Sequence, residues 1–139
     1  MTQTRDEAFY EQLRSTYNHG NPFANSVGVS VTSCTDGHAE AEVILEDKHI
    51  NTISSVHGGV AYVLADTVTG CASRTRGQTS TTIEGKLNYL RAATAADRKL
   101  IGTADVVHFG RKTIVLRTDI RTEGGRLIAT GLFTYFVIS

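Results

Sequence analysis

One run constrains the chain more than any other: Asn51 to Arg74, NTISSVHGGVAYVLADTVTGCASR. There a polar loop passes through His57-Gly58-Gly59 into one long segment that carries a lone acid, Asp66. At 3.6 residues per turn, Val60, Val63, Leu64, Thr67, Val68 and Cys71 share one side of a helix, an apolar stripe suited to burial against a sheet. Asp66 falls on the opposite side with Gly59, Tyr62, Gly70 and Ser73, mostly small residues that would let a second surface come close. An Asp inside a helix costs up to ~0.7 kcal/mol relative to Ala, and the positions three and four away (Tyr62, Val63, Thr69, Gly70) offer no cation. Local helix stability therefore gives no reason for Asp66, which is either a solvated surface acid or a functional carboxylate.

The His57-Gly58-Gly59 turn sits where a helix start presents free backbone N–H groups and the positive end of its dipole. Glycine there lets a ligand touch the backbone. Donors for an oxygen that becomes negative, within reach of a carboxylate, suit attack on a carbonyl. The alternative is that the glycines only make the turn from loop to helix.

The remaining chain reads as wrapping for this helix. Thr4-x-x-Glu7 is a capping box, and Phe9, Leu13 and Tyr17 recur at helical spacing before His19-Gly20-Asn21-Pro22 stops the element, giving a flanking helix within residues 1–20. Val27, Val29 and Val31 alternate with Gly28, Ser30 and Thr32. Beyond the turn at Asp36-Gly37, Ala39, Ala41, Val43 and Leu45 alternate with His38, Glu40, Glu42 and Ile44, a hairpin with one wet face. The central helix should end near Arg74-Thr75-Arg76-Gly77. Four further strands fit about 79–91, 98–109, 112–122 and 126–138, separated by turn signals at Ala96-Asp97, Gly110 and Gly124-Gly125. The architecture expected is α+β, one long central helix wrapped by a mostly antiparallel sheet of five to six strands.

A chain of 139 residues makes a single domain with its own core. No apolar run approaches membrane-spanning length, and the charged start MTQTRDEAFYEQL lacks a hydrophobic core segment, which points to the cytoplasm. Cys34 and Cys71 lack CxxC spacing and read as reduced, buried thiols. His19, His38, His49, His57 and His108 lack ligand spacing, so no metal is expected. The chain is neutral overall, but residues 1–66 hold 3 basic and 9 acidic residues while 67–139 hold 11 and 5. The neutral total argues against nucleic acid; the basic half could face phosphates, though most of it reads as a solvated face.

Asn51-x-x-x-x-x-His57-Gly58-Gly59 followed by Leu64-Ala65-Asp66 resembles the hot-dog-fold acyl-CoA thioesterases of the PaaI type. The likeness extends over about residues 21 to 137. Asn21-Pro22-Phe23 with Val27-Gly28-Val29 resembles the family's first strand, and Thr82-x-Glu84 with Leu87-Asn88-Tyr89-Leu90-Arg91 the strand after the helix. Gly110-Arg111 and Ile128-Ala129-x-Gly131 resemble its last hairpin. Two positions depart: Ser54 stands where the family usually has Gly, and Ala92 where it often has Pro. Both lie in loops and bear on loop shape and acyl preference.

The resemblance implies hydrolysis of an acyl-CoA thioester. The Gly58 N–H and Asn51 side chain would hold the thioester oxygen, Asp66 would act as base or nucleophile, and Thr82 would help hold the water. His57 could be a catalytic base in isolation, but immediately before Gly58-Gly59 it reads as a residue that orients the loop. Without the family, Asn51 reads as a turn residue and Thr82 as an ordinary strand residue. Gly59, Tyr62 and Ser73 share the Asp66 face and could line the acyl pocket or pack at an interface. Arg111 and Lys112, after the Gly110 turn, are candidates for coenzyme A phosphates. Coenzyme A would enter as part of the substrate, with no separate cofactor. The family plan also implies self-association as a homodimer or dimer of dimers, with sites built across the interface. A hot-dog dehydratase would need His-Phe-Pro-Gly or Asp/His signatures that are absent. A non-catalytic acyl-CoA-binding or regulatory module is the rival from another class, and Asp66, Asn51 and Gly58 occurring together count against it.

Overall fold

The computed structural model describes residues 5–139. Helix α1 (Glu7–His19) starts where the Asp6 side chain accepts from the Phe9 N–H at 3.0 Å, so Asp6 supplies the cap assigned above to the Thr4 box. Thr4 itself lies outside the described residues. Tyr10 and Tyr17 are the buried residues of this helix, with Phe9 and Leu13 at the margin of the core. The segment Pro22–Val27 is not a strand, as the resemblance implied, but a short helix α2. Proline sits in its first turn, where its missing N–H is no loss, and Gly28 closes it at φ 99°.

Strands β1 (Val29–Thr35) and β2 (His38–Ile44) form the expected hairpin. After the central helix α3 (Gly58–Ser73) come β3 (Ser80–Tyr89), β4 (Lys99–Phe109), β5 (Thr113–Thr122) and β6 (Leu127–Val137). All pairs are antiparallel, in the order β1-β2-β4-β5-β6-β3, so β3 crosses from its place in the sequence to an outer edge. One long helix against a six-stranded antiparallel sheet is the hot-dog arrangement. Among the described residues no helix is long and apolar enough to cross a membrane.

The helix sits deep in this wrapping. Leu64, Val68 and Cys71 are fully buried and share one core with Leu100, Leu116, Ile120 and Phe133. Close approach depends on two glycines. A Cβ on Gly102 of β4 would lie 2.9 Å from Leu64 Cγ, and one on Gly85 of β3 would collide with the Tyr62 hydroxyl and the Phe133 ring. Burial also reaches the side of α3 that carries Asp66. Gly70 lies under the Tyr17 and Tyr135 hydroxyls and Ser73 is completely covered, so much of the surface anticipated for a partner is occupied by α1, β3 and β6 of the same chain.

On the outer side, His38 of β2 has one ring nitrogen 2.7 Å from Asp105 on β4 and the other 3.0 Å from Glu40. A neutral imidazole can donate from only one nitrogen, so both bonds require the charged form. Burial alone would lower the His38 pKa, but hydrogen bonds and charge from Glu40 and Asp105 outweigh it and raise it. The stabilisation is therefore full below the unfolded value of about 6.5 and is lost as pH rises through the higher folded value. Thermal melts should show His38→Gln lowering Tm relative to wild type more at pH 6 than at pH 9; an equal gap at both would mean that the charged form is not what these bonds stabilise.

Candidate active site

The loop before α3 is set by Asn51. Its side-chain oxygen accepts from the Ile53 and Ser55 N–H groups, both at 3.0 Å, and its own N–H bonds to Ser55 O at 2.7 Å. With the oxygen occupied, the free end of this side chain is the NH2 group, a donor. His57 caps the helix, its Nδ1 accepting from Gly59 N–H at 2.8 Å. That leaves the Gly58 N–H, at the first helical position, without a partner among the described residues. The Tyr89 hydroxyl donates to Gly58 O at 2.6 Å and fixes the turn from the side of β3.

Asn51, His57 and Gly58 open on a cleft of about 350 Å³, with Tyr89, Leu90, Arg91 and Ile128 also in its walls. Gly59 faces a separate, mainly apolar recess of about 310 Å³ formed with Phe23, Val27, Ile50, Val60 and Val63. Its N–H is taken by His57, so Gly59 contributes space rather than a donor.

Asp66 lies elsewhere, half-buried in a polar recess of about 210 Å³ with Tyr17, Asn21, Arg74, Thr81, Thr82 and Tyr135. Thr82 Oγ1 donates to Asp66 Oδ1 at 2.8 Å, so its contact is with the carboxylate directly. Tyr135, which the sequence reading missed, places its hydroxyl 2.7 Å from Asp66 O and 3.2 Å from Oδ1. Asp66 Oδ2 accepts from no group among the described residues. Burial, then the Asp66 charge, drives the Tyr135 pKa far up, so this hydroxyl keeps its proton and is available as a donor.

The other candidates divide. Ser73 is fully buried, and its hydroxyl bonds to Gly70 O at 2.7 Å and Ser80 Oγ at 2.6 Å, fastening α3 to β3. Tyr62 is half-buried with its hydroxyl donating to Gly85 O at 3.0 Å, also a tie to β3. Arg111 and Lys112 are exposed on the β4–β5 turn, beside β6 where Val137 N–H bonds to Lys112 O. Arg91, quoted above only as part of a motif, lies in the Gly58 cleft itself. Cys71 is fully buried, and contact with the Cys34 thiol, followed by burial, raises its pKa, so it is no nucleophile.

This geometry accompanies a clear kinship. The thioesterase superfamily model matches residues 54–129, from the loop before α3 into the last strand. The chain belongs to the thioesterase superfamily. It is 31% identical to a structurally characterised conserved protein of Pseudomonas aeruginosa, covering 84% of this chain and 93% of that one with a TM-score of 0.78. The acyl-coenzyme A thioesterase PaaI of Escherichia coli (strain K12) is 28% identical over 76% of this chain and 75% of its own length. A hypothetical thioesterase protein of Streptococcus pneumoniae, solved with coenzyme A, is 26% identical over 88% of this chain and 97% of that one, with a TM-score of 0.78.

Ser54, where the resembled motif has glycine, takes φ 63° in the loop that carries Asn51. A left-handed residue other than glycine costs roughly 1–2 kcal/mol, part of which glycine returns through its greater freedom in the unfolded chain. Ser54→Gly should therefore raise stability by about 0.5 kcal/mol in denaturant titration with the fold unchanged; a loss of stability would show that the serine hydroxyl does more than tolerate the bend.

Proposed function

We propose that this chain is a cytoplasmic acyl-CoA thioesterase that releases a carboxylic acid and coenzyme A, and that works as a homodimer or dimer of dimers. The observation that carries the reading is a half-buried carboxylate with one oxygen held by neighbouring hydroxyls and the other free, on the same helix that presents an unpaired N–H beside an amide donor. The relatives named as acyl-coenzyme A thioesterases, and the similar protein solved with coenzyme A, support the substrate class.

The two halves of this chemistry cannot meet within one protomer. Gly58 and Asp66 are eight residues apart on α3, about 12 Å of helix. An oxyanion donor and a general base must both stand about 3 Å from the atoms they serve. Strand β3 suggests how they meet. It is a sheet edge, with Ile83 57% and Tyr89 54% exposed, and it runs from Thr82 at the Asp66 level to Tyr89 at the Gly58 level. Antiparallel pairing of β3 with its copy about a two-fold axis would bring Thr82 of one chain towards the partner's Tyr89, and so Asp66 towards the partner's Gly58.

In such a composite site the Gly58 N–H and the Asn51 NH2 group hold the thioester oxygen. The Asp66 carboxylate either takes a proton from the attacking water or attacks the carbonyl carbon itself, in which case the C–S bond breaks to release the thiolate and water then hydrolyses the mixed anhydride to free acid and Asp66. In the water route the new C–O bond forms as charge builds on the held oxygen, and collapse breaks the C–S bond. Asp66 returns the proton to the departing thiolate. His57 acts through the helix cap, and Thr82 through the Asp66 carboxylate. Arg91 beside the Gly58 cleft, and Arg111 and Lys112 at the Asp66 end of the sheet, would face the coenzyme A phosphates from both chains. No cofactor beyond the coenzyme A of the substrate is required.

Following free thiol from a panel of acyl-CoAs, Asp66→Asn should keep its fold and lose about 10²-fold or more in kcat. Asn51→Ala should be comparably impaired. After co-refolding in equal amounts, half the dimers are mixed and each holds one intact site, so roughly a quarter of wild-type activity should return. Acyl-CoA binding without turnover by the wild type would favour a regulatory module; a mixture shown to contain heterodimers yet no more active than its parents would refute the shared site.

A further inference from the structure

We infer that Tyr135 is a positioning residue for Asp66, acting with Thr82 to pin carboxylate oxygen Oδ1 and leave Oδ2 as the oxygen that acts. The inference rests on the assignment of Asp66 as the working carboxylate and adds the group that aims it. Thr82 and Tyr135 are register partners on β3 and β6, and both turn their hydroxyls toward α3. A bulge between Thr82 and Glu84 breaks the β3 register beside this point. A carboxylate on a helix has two free side-chain torsions, and a single hydrogen bond would still let it swing. Two donors from adjacent strands remove that freedom.

Proton accounting assigns the donors. Thr82 Oγ1 has one proton, aimed at Oδ1. Thr69 Oγ1 lies 2.9 Å from the Tyr135 oxygen but is also 2.8 Å from Ala65 O, the nearer of two carbonyls its own proton can serve, with Asp66 O at 3.2 Å. The Tyr135 proton is then free to serve Asp66, shared between the carbonyl oxygen at 2.7 Å and Oδ1 at 3.2 Å. The phenol thus holds the main chain and the side chain of one residue together. The residue is only 3% exposed, so its ring is held by the core while its hydroxyl faces Asp66. Because Oδ2 has no such partner, it is the oxygen left to meet water or the thioester carbon.

The deciding substitution is Tyr135→Phe, which keeps the buried ring and deletes the donor. A purely structural role for the hydroxyl would move stability, whereas a positioning role moves kcat. The expectation is a fall in kcat of about tenfold at unchanged KM, measured well below the Tm of each variant. In the Asp66→Asn background the same change should have no further effect on residual turnover, because there is no carboxylate left to aim. Thr69→Val is the control: it removes the hydroxyl next to Tyr135 without touching the carboxylate, so it should lower Tm and spare kcat. Wild-type kcat in Tyr135→Phe, an undiminished effect in the Asp66→Asn background, or failure of Tyr135→Phe to fold at any temperature would each overturn the inference. Failure of the parent reading looks different, since Asp66→Asn alone would then retain turnover.

Discussion

Burial of α3 is the constraint on which the rest depends. A helix whose Leu64, Val68 and Cys71 are entirely removed from water needs apolar cover along its length, and the inner faces of β4, β5 and β6 supply it through Leu100, Leu116, Ile120 and Phe133. Fully burying one such side chain is worth about 1.5–3 kcal/mol, so the helix cannot leave the sheet without losing most of the core. Glycines at 85 and 102 let it approach closely, and in doing so set the height of Asp66 above Thr82 and Tyr135.

That placement gives one helix two chemically different ends. At its N-terminus His57 caps the Gly59 N–H beside the loop that Asn51 holds, and the Gly58 N–H has no partner among the described residues. Two turns further along, an acid is held in a polar recess by hydroxyls from two strands. Rigidity of α3 keeps these features about 12 Å apart. The same rigidity separates hydroxyls that fasten the helix from those that reach the acid: Ser73 and Tyr62 on α3 tie it to Ser80 and Gly85, while Thr82 and Tyr135 reach back to Asp66.

Much of this was legible in the chain itself. The 3.6-residue stripe on α3, the alternation in β1 and β2, and the glycine turns arise from local periodicity, and these elements stand close to where they put them except at the start of β1. Local rules failed where two of them competed. Val27 and Gly28 fit a strand alternation, yet Pro22 starts a helical turn and Gly28 closes it. Thr4 and Glu7 fit a capping box, yet Asp6 makes the cap. His57-Gly58-Gly59 was legible as a helix start from local turn chemistry, whereas Asn51 read as a turn residue and joined it through the family resemblance.

What the sequence alone determined is the layered architecture and the place of Asp66 on α3, because helical and strand periods and short-range turn chemistry are written in consecutive residues; the family was legible through the resemblance of its motifs. Only the tertiary structure decided which hydroxyls hold Asp66 and which fasten the helix. Tyr135 is 69 residues from Asp66, and nothing in its strand distinguishes it from an ordinary core aromatic. Its role comes from the crossover that sets β3 beside β6 and turns both strands' inner faces toward α3, a long-range pairing that no local pattern encodes.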